Sequence, residues 1–227
     1  KEITGFDADV SRYVVNSIAR SLGVEEPEIS WKEAPSAQRE NLIANGEVDF
    51  IAATYSINDS RAERVSFGGP YLTTYQALLV RKDDTGLETL EDLNAGRKLC
   101  SVTGSTSADN VKKEVPGVNL QEFDTYSKCV DALANGSIDA VTTDDVILAG
   151  YAAQSPGTFK IVGEPFSEER YGVGIKKGDT ALCEDINAAL KKMVDDGSWQ
   201  KAVDDNFGPA GFEVDTKVNP PEADACS

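Results

Sequence analysis

The sequence predicts an α/β protein built as two three-layer lobes joined by a hinge that the chain crosses twice. Three observations predict it. Helical and extended patterns alternate along the whole chain. A helix–Asn-Gly–Asp–strand unit occurs twice, as Leu42-Ile43-Ala44-Asn45-Gly46-Glu47-Val48-Asp49-Phe50-Ile51 and as Ala132-Leu133-Ala134-Asn135-Gly136-Ser137-Ile138-Asp139-Ala140-Val141. The order of elements begins one lobe, interrupts it with a second and then completes it. Residues 1–82 and 166–227 are read as lobe 1 and residues 83–165 as lobe 2.

Each element follows from local signals. Asp7 caps a first helix whose apolar stripe is Val10, Val14, Ile18 and Leu22, ended by Gly23. Residues 29–32 read as a short strand. A helix over 39–44 leads to the first Asn-Gly, and Gly46 and Gly136 suit the left-handed residue that closes a helix. Residues 50–53 form a buried strand that runs out into a polar loop, and Asn58, Asp59 and Ser60 cap a helical turn carrying Arg61. Residues 65–67 are extended, Gly68-Gly69-Pro70-Tyr71 is a tight turn, and 75–82 is a strand. The polar stretch 83–86 is the first crossing. A short helix at 90–93 precedes a strand at 98–102, the Gly104-Ser105-Thr106-Ser107 turn and a helix through 110–114. A strand at 118–123, a helix at 126–134, the strand at 140–144, a helix at 146–153 and a strand at 159–162 complete lobe 2. Residues 165–170 return to lobe 1, where 171–176 is a strand. Asp179 caps a helix striped by Leu182, Ile186, Leu190 and Met193, and Ser198 caps a last helix around 199–206.

Charge and composition exclude whole function classes. The 227 residues carry a formal net charge of −17 and no His. Phosphate contacts need a basic face, so nucleic-acid binding is excluded. The lack of His removes the commonest general base and metal ligand, and no metal or cofactor is expected. An anionic ligand is repelled at long range, so any carboxylate site must be local and enclosed. No run approaches the roughly 18 apolar residues of a membrane span. Cys100, Cys129, Cys183 and Cys226 show no zinc spacing, and their even number favours two disulfides and an exported protein. Of three pairings, Cys100–Cys129 and Cys183–Cys226 keep each bridge inside one lobe and leave a closing motion untethered.

The candidate site is a pair of charges. Arg61 sits in the first turn of a helix beside N–H groups without helical partners, which suits a carboxylate. Gly104-Ser105-Thr106-Ser107 places N–H groups and hydroxyls at a second helix start. The second Asn-Gly unit ends at Asp144 and Asp145, and either can face a cation. One lobe offering a guanidinium and the other a carboxylate is what an amino acid requires.

Gly5-Phe6-Asp7-Ala8-Asp9-Val10, Asn45–Asp49, Ser56–Arg61, Gly104–Ser107, Asp139–Asp145 and Tyr171-Gly172-Val173-Gly174-Ile175, in this order, resemble the polar amino-acid-binding proteins of ABC uptake systems. That family has the type II periplasmic-binding-protein fold. The tail Asn219–Ser227 and the Cys positions resemble the actinobacterial glutamate-binding lipoproteins in particular. The resemblance implies an extracellular or periplasmic monomer, lipid-anchored, that delivers an amino acid to a permease. It implies that Arg61 pairs with the α-carboxylate, helped by Ser56, Ser105 and Thr106. It implies that Asp144, with Asp145 as competitor, takes the α-ammonium beside the Thr54 carbonyl. Tyr55, Thr73, Thr74 and Thr142 are nominated for side-chain selectivity. Glutamate comes first as ligand, then aspartate, glutamine and asparagine. No second Arg or Lys is evident for a side-chain carboxylate. The family carries a strand before Gly5-Phe6-Asp7 that is missing from this sequence, which leaves an open sheet edge. An enzyme on this fold or a receptor's ligand-binding domain are the rival readings.

Overall fold

The computed structural model describes residues 2–227. In chain order the elements are α1 (Phe6–Leu22), α2 (Arg39–Ala44), β1 (Phe50–Ile51), α3 (Asp59–Ala62), β2 (Val65–Arg81), β3 (Lys98–Val102), α4 (Thr106–Glu114), β4 (Asn119–Phe123), α5 (Tyr126–Ala134), β5 (Ala140–Asp144), α6 (Asp145–Gln154), β6 (Phe159–Lys176), α7 (Thr180–Asp195) and α8 (Ser198–Phe207). The strands form one sheet in the order β1-β6-β2-β5-β3-β4.

Two strands hold the molecule together. β2 and β6 pair antiparallel from Val65↔Lys176 to Arg81↔Phe159, with register shifts at Gly68/Leu72 and on either side of Gln76. From Gln76 onward, residues 76–80 of β2 also pair with β5. The sequence reading broke each of these strands in two, at the Gly-Gly-Pro turn and at 165–170. The structure absorbs both interruptions as register shifts, because an irregularity costs little where the partner strand is continuous on both sides. The polar stretch 83–86 follows the end of β2.

Both ends of the sheet are covered on two faces. At the β1–β6–β2 end, α1, α7 and α8 bury Val10, Val14, Val173, Ile186, Met193 and Trp199 on one face. α2 buries Leu42 and Ile43 with Ile51, Tyr55 and Val65 on the other. At the β5–β3–β4 end, the Cys100–Cys129 disulfide ties β3 to α5 within a core of Leu79, Leu133, Ile138 and Leu148. α4 packs Val111 on Leu78, Val80 and Leu99 opposite. Each fully buried Leu of this kind stabilises by about 1.5–3 kcal/mol. The Cys183–Cys226 disulfide pins the C-terminal tail to α7.

The repeated unit closes the same way in both copies. Gly46 N–H donates to the Ile43 carbonyl and Glu47 N–H to Leu42, while Gly136 N–H donates to Leu133 and Ser137 N–H to Ala132. Both glycines are left-handed, at φ 68° and 80°, the geometry that ends a helix in this manner.

Four local expectations fail. Residues 29–32 form no strand: an alternating segment cannot keep a strand without a neighbouring strand to satisfy its backbone. β1 pairs only with β6 and is the sheet's edge. Asp7 does not cap α1, which starts after Gly5 without a side-chain cap; its carboxylate instead accepts from Thr54 N–H at 2.8 Å and from the Tyr71 hydroxyl at 2.6 Å. Gly197, rather than Ser198, precedes α8. Leu22 is 67% exposed, so the α1 stripe faces the core only over its first turns.

Candidate functional site

The polar loop after β1 folds around Arg61. Asn58 is extended (φ −150°), and its Oδ1 accepts the Arg61 N–H at 2.8 Å, starting α3 as the cap residues predict. That turn directs the Arg61 side chain inward, where it is 7% exposed. Nη1 donates to the Ser56 carbonyl at 2.7 Å, Nη2 to the Gly104 carbonyl at 3.2 Å, and Nε lies 3.6 Å from Glu40. The guanidinium rests 5.0 Å from the centre of the Tyr55 ring, a cation–π contact.

Facing it is the start of α4. Ser105 Oγ accepts the Ala108 N–H at 3.0 Å and caps the helix. Thr106 and Ser107 N–H groups have no partner among the described residues. They lie at the positive end of the helix dipole, which favours an anion. The Ser105 and Thr106 hydroxyls are engaged elsewhere, so the site's donors on this side are backbone groups.

β5 ends at Asp144, buried beneath the same space. The Tyr171 hydroxyl donates to its Oδ2, and the Ser107 hydroxyl lies 3.5 Å from its Oδ1. Burial holds the Asp144 carboxyl well above the usual carboxylate range, the charge of Glu169 adds to this, and the Tyr171 hydrogen bond opposes it. Asp145, the alternative, is committed elsewhere: its Oδ1 accepts from the Thr74 hydroxyl and from Val146 N–H at 2.7 Å.

Thr54 occupies a left-handed conformation (φ 46°) that β-branched residues avoid. Its N–H is held by Asp7 at 2.8 Å, and the residue borders the same cavity as Asp144. Arg39, Thr54, Arg61, Ser105, Thr106 and Asp144 border one cavity of about 10 Å³, room for a single water. The rims must part to admit an amino acid.

None of the four residues nominated for side-chain selectivity borders this cavity, and neither do Ser56 and Asp145. Thr142 Oγ1 donates to the Ala77 carbonyl and accepts from Gln76 Nε2, so it is consumed inside the sheet. Tyr55 is fully buried, with its hydroxyl on Glu40 at 2.7 Å, and supports the cations from below. Thr73 has its backbone N–H and carbonyl bonded to the Asn219 side chain, and Thr74 serves Asp145.

Arg39 is the residue the sequence reading missed. It is 8% exposed, its Nε donates to the Ala34 carbonyl at 3.1 Å, and its guanidinium lies 5.2 Å from the Tyr55 ring centre. Burial lowers its affinity for a proton, and the neighbouring Arg61 charge lowers it further. A signal was present: Arg39, Leu42 and Ile43 stand at i, i+3, i+4, so the arginine shares the helix's buried face. An arginine on that face needs an anionic or carbonyl partner.

Gly104 brings the two rims together. It is left-handed (φ 78°), and an added Cβ meets the Ala37 Cα at 2.8 Å. Gly104→Ala is therefore expected to keep the fold but hold the rims apart, weakening amino-acid affinity by at least about tenfold, or about 1.4 kcal/mol. Calorimetry beside a thermal melt separates the two effects.

The family described as bacterial extracellular solute-binding proteins, family 3, matches residues 1–215. The chain is 59% identical over 211 residues to the glutamate-binding protein GluB of Corynebacterium efficiens, covering 91% of this chain and 72% of that protein. It is similar in structure to an ancestral arginine-binding protein bound to glutamine, with a TM-score of 0.81 and 36% identity over 91% of this chain and 89% of that one. It is also similar to the GluR0 ligand-binding core of Nostoc punctiforme in complex with glutamate, with a TM-score of 0.77 and 26% identity over 90% and 92% of the two chains. The family match spans nearly the whole described fold, and the chain belongs to family 3 of the bacterial extracellular solute-binding proteins.

Proposed function

We propose that this protein captures glutamate between two closing lobes and presents it to an ABC importer, without catalysis. One observation carries the reading: two guanidiniums, Arg39 and Arg61, and one carboxylate, Asp144, border a single cavity. That is the charge complement of two carboxylates and one ammonium. Arg61 takes the α-carboxylate together with the Thr106 and Ser107 N–H groups and the Ser56 N–H. Asp144 takes the ammonium beside the Thr54 carbonyl. Arg39 takes the side-chain carboxylate, which answers how an anion is held by so acidic a protein. The 59% identity to a glutamate-binding protein supports the same ligand.

The lobes we assign are residues 1–82 with 166–227, and 83–165, with one refinement. Residues 76–80 of β2 pair with β5, so the first crossing lies in mid-β2, before the polar 83–86 stretch. Closure desolvates both ion pairs, which strengthens them. The closed form is then the species a permease recognises, at the outer membrane surface to which a lipid anchor on the full protein holds it.

Calorimetry with glutamate, glutamine, aspartate and asparagine tests this reading. The protein should prefer glutamate. Arg39→Met should weaken glutamate by about 100-fold, equivalent to about 2.7 kcal/mol, and leave glutamine within about fivefold, since only glutamate loses an ion pair. Equal losses for both ligands overturn the assignment of Arg39, and no binding of any of the four overturns the function.

A further inference from the structure

Glu169 is the least exposed acid among the described residues, at 2%, and the capture mechanism above does not use it. It stands on β6 opposite Thr74, one residue from the register shift at Tyr75/Gln76. No Lys or Arg nitrogen pairs with it among the described residues, although twelve other ion pairs form. A buried carboxylate without a cation is costly unless strong hydrogen bonds replace its water.

The two shortest of those bonds come from one helix, and Ser167 Oγ on the same strand adds a longer one to Oε1 at 3.4 Å. Oε2 accepts the Thr106 hydroxyl at 2.8 Å, and Oε1 accepts the Asn110 amide at 2.9 Å. Thr106 and Asn110 are four residues apart and share a face of α4. Asn110 also reaches Ser167 Oγ at 2.8 Å on β6 and Gln76 Oε1 at 3.3 Å on β2. The carboxylate thus grips the first turn of α4, whose free N–H groups border the ligand cavity, from the strand that passes between the lobes.

We infer that Glu169 is a positioning residue for closure: its carboxylate latches the first turn of α4 to the crossing strand and slows the escape of bound ligand. The inference rests on the capture reading above. A latch acts after the ligand has entered, so its loss changes dissociation and spares association.

Radiolabelled glutamate on the full protein, chased with unlabelled glutamate, gives the off-rate, and calorimetry gives Kd. Glu169→Ala should raise the off-rate about tenfold, a loss of about 1.4 kcal/mol, with the on-rate within about twofold of the parent. Glu169→Gln should restore the off-rate, because its amide oxygen accepts from Asn110 and its nitrogen donates to the Thr106 hydroxyl. Asn110→Ala removes half the grip and should raise the off-rate severalfold. It gives the answer if Glu169→Ala fails to fold. An unchanged off-rate in the alanine variants overturns the latch. So does a loss that Gln does not rescue and that parallels a fall in ligand-free Tm, which marks packing alone. If the parent retains no glutamate, the capture reading has failed, and the latch falls with it for a reason the parent control identifies.

Discussion

Arg61→Ala is expected to abolish glutamate binding measurable by calorimetry. The side chain is 7% exposed and already joins the rims through the Ser56 and Gly104 carbonyls. A carboxylate entering this position exchanges those neutral contacts for charge-assisted ones in a dry site. Removing one partner of such a pair leaves the other buried and uncompensated, a loss of roughly 3–5 kcal/mol, or about 150- to 5,000-fold in Kd. Arg61→Lys should rescue little, because a single ammonium cannot match a planar fork that binds a carboxylate and stacks on Tyr55. Micromolar affinity in the alanine variant contradicts the assignment of the α-carboxylate.

Asp144→Asn should separate stability from function. Burial and the Glu169 charge raise the Asp144 carboxyl above its ordinary value. In the ligand-free protein the folded state therefore binds this proton more tightly than the unfolded chain does. Stability from this group is full below the unfolded value near 3.8. It declines as pH rises towards the raised folded value, since the unfolded chain binds fewer protons across that window. An amide has no charge to desolvate, so the ligand-free variant should melt higher than the parent at neutral pH and about equally near pH 3. Its glutamate affinity should fall by about 100-fold or more, because the ammonium loses its counter-charge. With glutamine, whose side chain does not titrate, parent affinity should rise with pH through mild acid, where the ligand's ammonium displaces the Asp144 proton, and this slope should vanish in the variant. A variant that binds normally, or a parent whose affinity is flat with pH, removes Asp144 from the site.

Much of this architecture could be read from local rules. The twin Asn-Gly closures, the Asn58 cap before Arg61 and the small-residue turn before α4 each rest on interactions spanning a few residues, which the sequence displays directly. The two misread strands show where such rules stop. Gly68-Gly69-Pro70 and residues 165–170 look like chain breaks locally, yet each lies in a strand whose partner is 90 or more positions away there. Of the site residues, Arg61, Thr54 and Asp144 reach the cavity. Ser105 and Thr106 border it too, but their hydroxyls serve the cap and Glu169, and the free donors are the Thr106 and Ser107 N–H groups. Tyr55 and Thr142 were selected for polarity near a strand end, but which face each residue takes depends on pairing register, which single-sequence patterns leave open. Arg39 went unnoticed because its meaning comes from Arg61 and Asp144, both distant in sequence.

The continuous pairing of β2 with β6 limits the kind of movement the proposed capture mechanism can use. A tether of loose loops lets two bodies drift through many orientations. A pair of hydrogen-bonded ribbons, irregular at Gly68/Leu72 and around Gln76, confines them to a narrow twisting path. Approach and separation then retrace one trajectory, so little orientational entropy is surrendered each time a ligand is enclosed. The same stiffness makes the midpoint ladder, and not the binding crevice, the place where substitutions should retune the resting balance between open and shut without touching selectivity.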